Sequence, residues 1–268
     1  MADSSRGRTY QWALTGVFAA LHFVVSMLPA TSAVGGTITW GWVSAPLIGF
    51  LLGPFWGIIS VGIGSTLAMF AFPGMALMSV LTPLAPMAGA FTAGTIKMRK
   101  PLRVYLLFVG AIVMFLIGPI GTLAYAFLWL HVVALFLSLA FVLPRVSPKL
   151  NNGLSFSHET SPATAPLAVW LMGFTAVMAD HLVGSTLFVY YMFYVGSYSS
   201  IVLAGWFLPI TFIYPIERAI ASVVVTILGL VIGKSIAGAH FELPAWPAHM
   251  TGSDTAASDK EPLAAEHT

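Results

Sequence analysis

The chain has 268 residues, of which 58% are hydrophobic and only 7% charged, and its formal net charge is +2. Soluble domains carry about 25% charged residues, so this composition excludes an ordinary soluble enzyme. Its apolar runs are continuous rather than alternating, which excludes barrel strands and predicts an all-α integral membrane protein, a polytopic helix bundle. Cysteine is absent, so disulfides, thiolate nucleophiles and Cys-based metal sites are excluded too.

Residues 1–9 read as a short cytoplasmic lead containing Arg6 and Arg8. Residues 10–30 make about one bilayer span, too long and too closely followed by other spans to read as a cleavable signal. Within it Gly16 and Ala20 lie four apart, a spacing that lets another helix approach closely, either inside the bundle or from a partner. A Gly-containing loop at 31–37 leads into a second, short span at 38–52. Gly53-Pro54 then breaks the helix, because proline cannot continue it from within. Further spans follow at 55–72 and, after the Pro73-Gly74 turn, at 75–96. Between Arg8 and Lys97 there is no Asp, Glu, Lys or Arg. Lys97, Arg99, Lys100 and Arg103 then cluster, and the positive-inside rule assigns this loop to the cytoplasm.

Residues 104–143 are too many for one span and are divided by Gly118-Pro119-Ile120-Gly121, which predicts an inserted helical hairpin. His131 lies in its second arm and reads as a buried hydrogen-bonding group. A polar cytoplasmic connector occupies 145–165, and the next span, starting at Pro166, carries Asp180 and His181. The loop 190–200 is rich in tyrosine. Residues 201–236 would be roughly 54 Å long as one straight helix. Pro209 and Pro215 are therefore expected to bend it, leaving a spanning part from about 215 to 236. Residues 237–268 read as a disordered cytoplasmic tail. The whole is one transmembrane domain, 10–236, with six core spans plus the hairpin, about eight helices. Both termini are expected in the cytoplasm of a multi-pass protein of the cell membrane.

The chemistry concentrates in one layer. Asp180 on one span, and Glu217 and Arg218 on another, sit at a similar expected depth in the outer half. A charge near the bilayer centre costs roughly 2.5–3.5 kcal/mol on insertion scales, so such groups pair or face water. Adjacent helical residues point about 100° apart, so Glu217 and Arg218 are not expected to pair with each other. His181 adjoins the layer, and Trp40, Trp42, Tyr191, Tyr194 and Trp206 are placed above it. Those aromatics serve either as an interfacial belt or as the walls of a site. The layer itself is either a structural ion pair or a ligand site, and two acids against one Arg favour a cationic or zwitterionic ligand. Gly233-Lys234-Ser235 lacks the glycine a phosphate-binding loop needs, since Leu228 stands there. No metal spacing, cofactor motif or nucleic-acid patch is present, and neither a cofactor nor a nucleic acid is expected as partner.

The run from Trp40 to Ser65 contains Ala45-Pro46-Leu47-Ile48, Leu52-Gly53-Pro54-Phe55-Trp56-Gly57 and Gly62-x-Gly64. With the small-residue first helix, it resembles the substrate-binding (S) components of energy-coupling-factor vitamin transporters. The resemblance implies six core helices with cytoplasmic ends, so the 104–143 hairpin is a departure from it. It implies uptake of a small water-soluble nutrient and no enzymatic activity. It also implies a transmembrane coupling protein with ATPase subunits as partners, besides membrane lipid, with Gly16 and Ala20 as the docking positions. Two other readings use the same residues. One is a stand-alone ion- or proton-coupled carrier; the other is an intramembrane enzyme using Asp180, His181 or Glu217 as acid and base.

Overall fold

The structure, a computed structural model, describes residues 2–33, 36–156, 163–238 and 243. In these residues the helices are α1 (Ala2–Ser26), α2 (Gly41–Ala71), α3 (Leu84–Lys97), α4 (Leu102–Ile117), α5 (Trp129–Ser138), α6 (Ser147–Ser155), α7 (Thr164–Tyr194) and α8 (Ser200–Ala237). Strands β1 (Pro29–Ala33) and β2 (Gly36–Thr39) pair antiparallel between α1 and α2. The α2, α7 and α8 helices are long and apolar enough to cross a membrane, and α4 is a shorter apolar helix.

The helix α2 is not straight. Ser44 and Ser65 would stand about 32 Å apart along a continuous helix, yet both bond the same imidazole: His22 Nδ1 lies 2.7 Å from Ser44 Oγ and His22 Nε2 2.8 Å from Ser65 Oγ. The chain doubles back at Gly53, whose φ of 78° belongs to the region that favours glycine. Pro54 follows and supplies no N–H to continue the first arm. The expected segments 38–52 and 55–72 are therefore two antiparallel arms of α2. The reversal is seated against α3, where a Cβ on Gly94 would collide with the backbone of Gly53 and Pro54, and one on Gly49 with the Ala90 carbonyl.

Several boundaries differ from the sequence expectation. The 1–9 lead is helical from Ala2 onward as the first turns of α1, and α1 stops at Ser26 rather than at residue 30. Residues 29–33 and 36–39, expected as the end of one span, a loop and the start of the next, are instead the paired strands β1 and β2, whose Thr, Ser and Ile suit pairing. The span expected from 75 begins as helix only at Leu84. Pro73 and Pro83 interrupt it, and two single 3₁₀ turns fill the interval, with Met78 N–H donating to Thr82 Oγ1 at 3.0 Å. In the inserted segment α4 is a full helix, but the second arm is a short α5 flanked by 3₁₀ turns. Part of the polar connector is the helix α6, pinned by Lys97 Nζ donating to the Leu154 carbonyl at 2.9 Å. Pro209 and Pro215 do not break the helix: α8 runs over 38 residues with both inside it, although each proline removes one N–H donor. The tail expected at 237–268 lies outside the described residues apart from Ala237, Gly238 and Leu243.

The core centres on α7, in which every residue from Leu171 to Asp180 is buried. The α3 and α8 helices flank it, and the inserted α4–α5 unit covers another side. That unit is anchored by aromatic packing, with Phe127 against Phe115 at 5.5 Å and Phe207 at 4.8 Å between ring centroids. Two tyrosine hydroxyls tie it down, Tyr214 donating to the Phe127 carbonyl and Tyr190 to the Met114 carbonyl, each at 2.9 Å.

Candidate functional site

Where the β1–β2 hairpin meets the bundle there is a cavity of about 460 Å³. Small-molecule sites run from about 300 to 1,000 Å³ and are mostly apolar with a few placed polar groups. This one fits that description. Met75, Leu77, Met78, Phe188 and Phe207 supply apolar wall, while Thr31, Thr37 and Thr39 from the hairpin line the end where α2 begins. The charged wall comes from α7 and α8, through Asp180, His181, Tyr214, Glu217 and Arg218.

Arg218 is 2% exposed, and its guanidinium carbon sits 3.7 Å from the centroid of the Trp42 ring. A guanidinium over an indole face is held by the ring quadrupole, at about 2 kcal/mol or more when desolvated. Arg218 Nη2 is 3.6 Å from Glu217 Oε2. This corrects the expectation that the two neighbours would not pair. Their backbone directions diverge as expected, but both side chains are long enough to curl back across that angle. Arg218 Nε and Trp42 Nε1 are buried with no hydrogen-bond partner among the described residues. Asp180 is 8% exposed and lines the cavity. Its carboxylate has neither a hydrogen bond nor a cation within 4.0 Å among the described residues. Arg218 attracts this carboxylate from beyond ion-pair distance, so one guanidinium serves both Asp180 and Glu217.

The expected layer of Asp180, Glu217 and Arg218 thus lines one cavity together with His181. Of the expected aromatic walls, Trp42 and Trp206 line it. Trp40, Tyr191 and Tyr194 do not. Trp40 caps the start of α2, its N–H donating to the Leu28 carbonyl at 3.0 Å, and Tyr194 is 70% exposed. Gly16 and Ala20 lie on the exposed side of α1, and a Cβ on Gly16 would touch nothing within 4 Å.

Among the cavity residues that sequence reading passed over are His22, Ser65 and Tyr214. His22 is fully buried, bonded to Ser44 and Ser65. Ser65 lines the wall beside it, and Tyr214 lies against His181 with ring centroids 4.7 Å apart. The available signal was His22 itself, the single titratable residue in the apolar run 10–30 other than Tyr10.

No family model matches the chain. An uncharacterized protein of Methanocaldococcus jannaschii is similar to it, with 25% identity over 144 residues; the match covers 54% of this chain and 46% of that relative. No solved structure matches.

Proposed function

We propose that this protein is the membrane-embedded substrate-binding subunit of a small-solute uptake system, working with a transmembrane coupling protein and ATPase subunits. One observation carries the reading: a cavity of about 460 Å³ whose wall holds Asp180, Glu217 and Arg218 together with Trp42 and Trp206. The topology that goes with this reading has eight crossings and both termini in the cytoplasm. The two arms of α2 count separately, and the charges of 97–103, Arg145, Lys149 and Lys234 lie on one side. Under it the β1–β2 hairpin faces outward over the cavity. The exposed Gly16–Ala20 face of α1 offers a close-approach surface for the coupling protein.

The test is purification in mild detergent followed by denaturation and mass spectrometry of released small molecules. The wild type is expected to carry a water-soluble compound in about equimolar amount, and Glu217→Gln and Arg218→Gln much less of it. A wild-type protein that carries nothing, from cells grown in rich and in minimal medium alike, would retire the reading.

A further inference from the structure

We propose that the molecule held in this cavity carries a positively charged nitrogen, seated against Asp180. The proposal rests on the binding-subunit reading above and adds the chemical class of what is bound. Three observations carry it. Asp180 is more than nine-tenths buried and lines the cavity, with no hydrogen bond or ion pair to it among the described residues. The arginine of the wall is shared between both acids: it attracts the Asp180 carboxylate from beyond ion-pair distance while it is stacked on Trp42 at 3.7 Å and set 3.6 Å from Glu217. The wall therefore presents two carboxylates and one guanidinium, an excess of one acid. A neutral or anionic occupant would leave that excess uncompensated in a largely apolar enclosure, which is the costly arrangement. An ammonium, amidinium or quaternary heteroaromatic nitrogen matches it. The remaining wall suits the rest of such a molecule: Trp206 and Phe188 offer ring faces, and aromatic faces favour cationic nitrogen over neutral isosteres.

Two measurements on the full-length protein test this. Compounds released from purified wild type and from Asp180→Asn are identified and quantified by mass spectrometry. Ligand-free protein is then melted with benzamidinium or phenethylammonium, each against its neutral counterpart, benzamide or 2-phenylethanol. The expected result is a released compound with a basic or quaternary nitrogen, reduced about ten- to a hundredfold in Asp180→Asn, the range for loss of one charged contact. Only the cationic probes should raise the wild-type Tm, and that rise should vanish in the variant. A released compound with no such nitrogen, or one retained equally by Asp180→Asn, would overturn the class while leaving the binding-subunit reading intact. Should the wild type release nothing and no cationic probe move its Tm, both fall together. If Asp180→Asn does not fold, Asp180→Glu replaces it: retention of the compound and of the cation-specific shift supports the proposal, and their loss with the fold intact overturns it.

Discussion

His131 Nε2 lies 3.1 Å from His181 Nδ1, and the two imidazoles are stacked, 5.1 Å apart and inclined by 12°. One residue belongs to α5 of the inserted hairpin and the other to the cavity wall on α7. The insertion is therefore part of the second layer around the site. One of the two rings must donate and the other accept, so the contact ties the tautomer of His181 to that of His131. His131→Ala is expected to lower the ligand-free Tm, through one lost buried hydrogen bond of about 1 kcal/mol and the void left behind. It is also expected to change the imidazole ¹⁵N shifts of His181 in histidine-labelled protein. Unchanged His181 shifts would show that the insertion does not govern its tautomer.

Single cysteines on an otherwise cysteine-free chain test the topology directly. Ser197→Cys, in the turn between α7 and α8, should react with an impermeant maleimide applied to intact cells. Lys149→Cys, on α6, should react only after the membrane is opened. The reverse pattern would invert the orientation, and equal labelling of both from outside would rule out the single crossing, by α7, expected between them.

Gly16 faces outward with open space at its Cβ position. Leucine there should leave the Tm unchanged or slightly raised, because leucine favours helix over glycine by roughly 1 kcal/mol. Ligand retention should match wild type while uptake by whole cells falls. A clear drop in Tm would mean that this face is packed in the folded protein and is no docking surface.

Gly53→Ala examines the reversal of α2. Alanine at φ 78° and ψ 178°, a conformation essentially confined to glycine, costs about 1–3 kcal/mol of backbone strain. A fall of several degrees in Tm is expected, measured by fluorescence-detected melting. Gly110→Ala, at a helical site with nothing within 4 Å of its Cβ, serves as the control and should not lower Tm. Equal behaviour of the two would mean the reversal is relaxed elsewhere.

What could be read from the chain alone followed the strength of the local signal. Gly53-Pro54 combines a residue that permits reversal with one that ends a helix, so the two arms of α2 were legible. Asp180, Glu217 and Arg218 stood out because charge is rare in apolar runs. The β1–β2 hairpin was not legible, since its strands are four and five residues long and carry no alternating apolar pattern. His22 was missed because its role depends on Ser44 and Ser65, residues 22 and 43 positions away, which no local pattern connects. The continuity of α8 was missed because Pro209 and Pro215 were read as separating a first piece from the span, whereas the helix runs through both.

His22 has one further consequence. It is six residues beyond Gly16, which is about 9 Å along the axis and 240° around it. The first faces the cavity and the second faces out of the bundle. A single helix roughly 10 Å across thus separates the enclosed space from the outer flank of the protein. Because the imidazole also grips both arms of α2, filling or emptying the space would press on the same rod that a neighbour on the flank would feel.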